Sequence, residues 1–374
     1  MMKKKRKNKM MEQKRMNPMK NKRTLSMFLV ALLLEPLHAF GVDPMIAKLQ
    51  AIDPLPKVTP SWHWTQEERI MGNPELAKAL SDVLRCYSLS LRWASVETLQ
   101  VAVAADPETI ALHWSPWHSK FMDHRKRWTK AESCGPLTPK DLEYLGFFWS
   151  KAVAARIIIP KSIPIIIILD HEQGCGDNED LAVRLNMMFR MAKQVFGGEV
   201  TFYNDRQFSP RSGAAQHLPR STSPIPLSVS GDFPSLSMYY NINSSYTRRV
   251  LEFTAAESPG DFWVWLSYGN EYELYPFTPV GKRRRSKDVI AWRQPGEAWW
   301  AGYWLYNKFP AKFESAFGPV GRVAKVCLWP PPLRVPKSLL KGKTSEEIQE
   351  LRDLSDRLFI EFLNGANGKR RSIS

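Results

Sequence analysis

The sequence predicts an α/β protein: a (β/α) barrel of the TIM type, irregular or incomplete, or else an open doubly wound parallel sheet. Strand-like and helix-like segments alternate along the chain, which is typical of a parallel sheet wrapped by helices. The run Ile163–Leu169 is aliphatic throughout, as expected for a strand buried on both faces. No Gly-x-Gly-x-x-Gly motif follows a predicted strand, which argues against the dinucleotide-binding form of the open sheet.

The alternation defines six strands and six helices. The predicted strands are Ile110–Trp114, Ile163–Leu169, Glu199–Tyr203, Leu236–Tyr240, Phe262–Tyr268 and Val323–Leu328. The predicted helices are Pro74–Leu91, Thr138–Arg156, Asp177–Phe196, Ser244–Ala255, Glu297–Phe317 and Thr344–Leu363. Residues 99–104 form a candidate seventh strand, and an eighth would have to lie within the loops.

Local end signals place three of these helices. Thr138 and Asp141 have the Thr-x-x-Asp spacing of a capping box, and Thr344 and Glu347 form a second one. Gly197 follows the helix that ends at Phe196, where a left-handed residue commonly terminates a helix.

The net charge of +16 is concentrated at one end of the chain. Residues 1–41 hold eleven Lys and Arg against two Glu, followed by the apolar run 27–34 and small residues at 39 and 41. This order predicts a secretory signal peptide over 1–41. A basic arm followed by a chance apolar stretch is the alternative.

The remaining chain divides into a Pro-rich linker or strap over 42–72, a single α/β domain over 73–365 and a basic tail over 366–374. We expect a secreted or periplasmic protein without a stable membrane span, because no segment has the roughly 18 apolar residues that a span requires. The sequence leaves the oligomeric state open.

The four cysteines are too few and too scattered for a disulfide framework or a Cys-x-x-Cys zinc site. Cys134 and Cys175 lie in predicted loops and could pair in an oxidising compartment. Cys327 lies in an apolar run, which favours a buried thiol.

Polar and aromatic side chains collect where the predicted strands end. In either α/β architecture this carboxyl edge is where ligands bind. The candidate catalytic carboxylates are Asp170, Glu172, Asp205 and Glu271. The candidate substrate-binding residues are His113, Trp114, Trp117, Tyr203, Asn204, Tyr240 and Asn270.

Asp170 and Glu172 are two residues apart, so an extended strand points both carboxylates to the same side. Such a pair suits acid–base catalysis, whereas the competing structural role is to cap the next helix or pair with Arg206. Glu271 follows Asn270 at the end of an aromatic strand, and its alternative role is that of a solvated loop carboxylate.

These motifs resemble the barrel-type glycoside hydrolase superfamily. Leu-Asp-His-Glu at 169–172 is similar to the Asp-x-Glu strand of the barrel muramidases, and Gly-Asn-Glu at 269–271 is similar to the acid/base strand of the large retaining barrel clan. The two patterns belong to different families, so at most one is a catalytic signature.

The resemblance implies an exported glycosidase acting on a poly- or oligosaccharide. Glu172 would be the general acid/base, with Asp170 orienting it or acting as nucleophile, and Asp205 or Glu271 would be the opposing carboxylate. The alternative is a non-catalytic protein that binds glycan or a cell-surface polymer, since binding requires the same aromatic and amide side chains.

Other classes of function have less support. His113, His118, Asp123 and His124 do not match the spacing of a zinc-binding helix, so we expect no metal, and no motif indicates a cofactor. A nucleic-acid partner is not expected, because the positive charge lies at the chain ends and in the loop 282–287 rather than along a face of the domain.

Overall fold

We describe the protein from a computed structural model. The structure describes residues 43–55, 58–60, 68–115, 129–171, 175, 178–203, 208–209, 220–221, 229, 231–233, 235–238, 262–266, 296–308, 323–328, 335 and 340–369. The chain divides into two compact units, Met1–Asp43 and Pro44–Ser374, and Asp43 is the one described residue of the first. All the helices and strands of the described residues belong to the second unit.

The described part of this unit contains ten strands and nine helices. The strands are β1 Val58–Pro60, β2 Cys86–Ser90, β3 Thr109–Trp114, β4 Ile165–Leu169, β5 Glu199–Phe202, β6 Phe208–Ser209, β7 Arg220–Ser221, β8 Ser235–Met238, β9 Phe262–Leu266 and β10 Val323–Leu328. The helices are α1 Pro44–Gln50, α2 Glu68–Met71, α3 Pro74–Leu84, α4 Val96–Ala104, α5 Lys130–Cys134, α6 Pro139–Ile158, α7 Glu179–Phe196, α8 Glu297–Tyr303 and α9 Ser345–Ala366. A π-helical turn, Trp304–Lys308, continues α8.

Eight of these strands form two four-stranded sheets in which every pairing is parallel. The first sheet has the order β2-β3-β4-β5, and the second has the order β1-β10-β9-β8. The pairing of β1 with β10 joins the first described strand to the last, with Val58 opposite Val326. Strands β6 and β7 form a separate antiparallel ladder. The parallel sheets with intervening helices confirm the predicted α/β class.

Strand β4 is the centre of the first sheet. All five residues of Ile165–Leu169 are buried, which confirms the expectation of a strand covered on both faces. Burying one such aliphatic side chain contributes about 1.5–3 kcal/mol to folding, so the five buried side chains of β4 contribute strongly to the stability of the domain.

The predicted helix ends agree with the structure where the capping signals were clear. Thr138 accepts a hydrogen bond from the backbone N–H of Asp141 at 3.3 Å, and Thr344 accepts one from that of Glu347 at 3.2 Å. Both capping boxes are complete. Helix α7 ends at Phe196, and Gly197 takes the left-handed conformation with φ 66°.

Two predictions near the amino terminus are wrong. The predicted helix Pro74–Leu91 stops at Leu84, because Arg85 adopts a left-handed conformation and the chain then forms strand β2. Residues 99–104 belong to helix α4 rather than to a strand. This helix begins with a capping box in which Thr98 stands where Glu or Gln is usual. The segment 42–72 contains α1, β1 and α2, so it is not a linker throughout.

The later elements agree with the prediction to within a few residues wherever the structure describes them. Strand β10 has the predicted bounds Val323–Leu328, β9 begins at the predicted Phe262, β8 begins one residue early at Ser235, and α9 extends to Ala366. The predicted strand residues 239–240 and 267–268 lie outside the described residues. The predicted helix over 244–255 lies outside the described residues, as does the part of the predicted helix 297–317 beyond Lys308.

Hydrogen bonds and ion pairs connect the last helix, α9, and the residues just after it to the beginning of the domain. Arg69 on α2 bonds both carboxylate oxygens of Asp356 on α9 at 3.0 Å. Just beyond α9, Asn367 donates to the backbone carbonyl of Asp53 at 2.9 Å, and the Lys369 ammonium lies 3.3 Å from the Asp53 carboxylate.

Candidate functional site

The two faces of the first sheet differ in composition. One face contributes to the main hydrophobic core with the helices. The opposite face, which we call the inner face, carries a smaller cluster made of Cys86, Ala111, Ile166, Ile168 and Tyr203. Because side chains alternate along a strand, Ser88, Ser90, His113 and Thr201 share the inner face, and all four are buried. The inner face is therefore unusually polar for a buried surface.

The polar residues of the inner face extend to the carboxyl edge of the sheet. The parallel ladder continues past the strands: Asp170 N–H donates to the Trp114 carbonyl at 2.8 Å, and Tyr203 N–H donates to the Leu169 carbonyl at 2.9 Å. Since Leu169 is opposite Phe202, this register brings Asp170 beside Tyr203 on neighbouring strands.

His113 lies next to this pair, one residue before the end of β3. It stands opposite Ser90 on β2 and Ile168 on β4, and Ile168 is the inner-face residue directly before Asp170. Adjacent strands are about 4.8 Å apart, so side chains on one face are neighbours. We call Ser90, His113, Asp170 and Tyr203 the edge cluster.

The edge cluster combines a carboxylate, an imidazole, a phenol and a hydroxyl. These groups can accept, donate and relay protons, which is what acid–base catalysis requires of a site. His113 and Tyr203 are buried, whereas Asp170 is partly exposed at the edge. Asp170 is thus the most exposed residue of the edge cluster and the one best placed to meet a ligand.

The structure brings together three of the predicted site residues, namely His113, Asp170 and Tyr203. Apart from Trp114, the seven others lie outside the described residues: Trp117, Glu172, Asn204, Asp205, Tyr240, Asn270 and Glu271. His171, between Asp170 and Glu172 in sequence, is fully buried.

Trp114 lies on the face opposite the edge cluster. It follows His113 directly, so the alternation of the strand turns its ring towards the helices. The ring is 1% exposed and packs against Phe148 at 4.9 Å and Tyr144 at 5.7 Å between ring centroids. Core packing therefore occupies the ring that we expected to contact a sugar.

Ser90 is a member of the edge cluster that the sequence prediction missed. The predicted helix Pro74–Leu91 covers residues 86–90, whereas the structure has strand β2 there. The alternation of polar and apolar residues in Cys-Tyr-Ser-Leu-Ser is the signal that could have identified a strand here.

Cys134 and Cys175, whose pairing the sequence leaves open, form a disulfide, with their Cα atoms 5.5 Å apart. Cys86 on β2 is a buried thiol. Within the part of the chain that the structure describes, no group of three or more His, Cys, Asp or Glu side chains is placed to hold a metal ion.

A pocket of about 320 Å³ lies at the other end of the first sheet. Thr109, Ile165 and Glu199, the first residues of three neighbouring strands, line it together with Arg156 and Lys161. It opens at the amino edge, so it is separate from the edge cluster.

Among the described helices, none is long and apolar enough to cross a membrane. Comparison with known proteins gives no match to this chain, whether with protein-family models, with curated proteins or with solved structures.

Proposed function

We propose that the two parallel sheets are halves of one closed eight-stranded (β/α) barrel. Around the proposed ring the strands have the order β2, β3, β4, β5, β8, β9, β10 and then β1. The strands therefore follow one another as they do along the chain, and β1 closes the ring between β10 and β2. The pairing of β1 with β10 supports closure, because a barrel requires its first strand to meet its last. Strand β1 also lies beside β2.

Contacts on the other side of the ring support the same arrangement. The segment 231–233 runs into β8 and lies along β5, where Asp232 N–H donates to the Val200 carbonyl at 2.8 Å. The Asp232 carboxylate in turn accepts from Val200 N–H at 2.6 Å. A Cβ atom at Gly231 would collide with the backbone of β5, so the two segments are in direct contact.

We infer that the protein is an exported glycoside hydrolase with its site at the carboxyl edge. The observation that carries this proposal is the edge cluster, in which Asp170 lies beside Tyr203 and next to His113. Barrel enzymes place their catalytic residues at this end of the strands. The Cys134–Cys175 disulfide supports export, because disulfides persist mainly in oxidising compartments.

In the proposed reaction, Glu172 protonates the glycosidic oxygen of the leaving sugar. Asp170 orients Glu172 or acts as the nucleophile, and Asp205 or Glu271 supplies the opposing carboxylate. The Tyr203 phenol would hold a sugar hydroxyl at the edge of the sheet. Whether Asp170 orients Glu172 or acts as the nucleophile, the carboxylates stabilise an oxocarbenium-like transition state, which is the common feature of glycoside hydrolysis.

Site variants test the proposal. The wild-type chain, Asp170→Asn and Glu172→Gln would be incubated with bacterial cell wall, chitin, cellulose and xylan, and released reducing ends would be measured. We expect release from at least one polymer by the wild type, and loss of release with retained polymer binding in Glu172→Gln. Glu350→Gln, an exposed change on α9, is the matched control and should keep full activity.

Full release by Glu172→Gln would show that Glu172 is not the general acid/base. Binding of a polymer by the wild type without any release would instead favour the non-catalytic glycan-binding alternative.

A further inference from the structure

A fully buried arginine joins three separate segments beneath the carboxyl edge. Arg184 on α7 is 0% exposed. Its guanidinium donates to the backbone carbonyls of Glu132 at 3.0 Å, Ser133 at 2.6 Å and Pro136 at 2.6 Å. Arg184 therefore fastens helix α5 and the chain that follows it to helix α7.

The counter-charge of this arginine is equally buried. Asp141, in the first turn of α6, lies 3.1 Å from Arg184, and both side chains are 0% exposed. The same Asp141 oxygen accepts from the N–H of Thr138 at 2.8 Å and from its hydroxyl at 2.6 Å. Burial lowers the pKa of Arg184, and the Asp141 charge opposes that shift. The buried ion pair thus connects the first turn of α6 to α7.

The disulfide extends this connection to the loop that follows β4. Cys134 comes directly after Ser133, whose carbonyl accepts from Arg184. Its partner Cys175 lies between Asp170, at the end of the β4 ladder, and Asn178, the N-cap of α7. The connection 170–178 is therefore fixed at Asp170 by the β4 ladder and at Asn178 by the start of α7. At Cys175 it is fixed by a covalent bond.

We propose that Arg184 and the Cys134–Cys175 disulfide are positioning elements for the candidate site: they hold the connection 170–178, which carries Asp170 and His171 and, in sequence, Glu172. As a statement about catalysis this rests on the proposed function. As a statement about the loop it is independent of that function.

Restraint of this connection would matter because catalysis depends on the position of the reacting groups. A catalytic group must be held close to its productive position by the residues around it. Pinning the loop at Cys175 restricts the conformations open to the residues between the pin and the end of β4.

Hydrogen exchange measured by mass spectrometry tests the proposal on the full chain. In Cys134→Ser/Cys175→Ser we expect exchange in peptides covering 170–178 to be about tenfold faster or more, with peptides of α9 unchanged. The matched control is Arg69→Gln, which breaks the Arg69–Asp356 ion pair between α2 and α9 without touching the loop. Unchanged exchange at 170–178, or an equal increase in the control, would overturn the proposal.

A second variant and a spectroscopic readout separate positioning from general stability. Arg184→Lys keeps the charge but cannot make all four contacts of the guanidinium. We expect the histidine ring resonances of His171, assigned with His171→Gln, to shift in both variants, and by more than those of His113, which lies within strand β3. If the His171 resonances are unchanged in both variants, neither element positions this loop. No glycan enters either measurement, so its failure is distinct from failure of the hydrolase proposal.

Discussion

Replacing Arg184 with Met is expected to be among the most destabilising single changes in the domain. The substitution removes the guanidinium from three backbone carbonyls and leaves Asp141 as a fully buried carboxylate without its ion partner. Breaking a buried ion pair from one side costs about 3–5 kcal/mol. We expect a loss of about 4 kcal/mol in the free energy of unfolding, a large fraction of a stability of roughly 5–15 kcal/mol.

Urea unfolding followed by tryptophan fluorescence measures this loss, with the transition midpoint falling while the m-value stays the same. The double variant Arg184→Met/Asp141→Asn should recover part of the loss, because Asn keeps the cap on Thr138 without a buried charge. Lys78→Met is the control, since it breaks only the exposed Lys78–Asp82 pair. A loss below about 1 kcal/mol in Arg184→Met would refute the argument that this buried pair is a principal restraint.

Three further predictions concern the core. Burial raises the pKa of the Tyr87 phenol to about 12. Stability should therefore be full below the unfolded pKa of about 10 and fall as the pH rises towards about 12, and Tyr87→Phe should remove this dependence in urea midpoints measured over that range. Gly365→Ala would push a Cβ into the carbonyl of Trp299 where α9 crosses α8, so thermal unfolding should show a loss of about 1–3 kcal/mol; an unchanged melting curve would contradict that packing. Trp114→Ala should cost about 3–5 kcal/mol in urea unfolding, because the ring packs on Phe148, whereas a sugar-binding surface residue would cost little.

Local signals in the sequence were sufficient where an element is determined by its own residues. The aliphatic run of β4 and the capping boxes at Thr138 and Thr344 have unambiguous local causes, so the strand and both helix starts were predicted, although β4 begins at Ile165 rather than Ile163. Strand β2 was not predicted because it is short and follows α3 after a single left-handed residue, Arg85. Its identity as a strand comes from pairing with β3, which is a non-local interaction.

The candidate site was predictable in part, because its position depends on the strand ends and not on the details of the fold. The carboxyl ends of parallel strands converge whatever the details of the fold, so Asp170 and Tyr203 could be expected to meet. His113 and Trp114 could not both face the site, since neighbouring residues of a strand point to opposite faces. Both faces of β3 are buried, so the sequence alone did not indicate which of the two faces the edge cluster.

The contact between Arg184 and Asp141 was not predictable from local pattern. The two residues are 43 positions apart and lie on different helices. Each looks like an ordinary surface charge in its own segment, and only the packing of α5, α6 and α7 buries them together.

The separation of the candidate carboxyl groups in a crystal structure of the full chain tests the hydrolase proposal most directly. We expect Asp170 or Glu172 to lie roughly 5–9.5 Å from Asp205 or Glu271, across an open cleft at the carboxyl edge. A separation of about 5–5.5 Å would indicate a retaining mechanism, and one of roughly 6.5–9.5 Å an inverting mechanism. If both Asp170 and Glu172 lie well beyond about 10 Å from either partner, the proposed catalytic pair is contradicted.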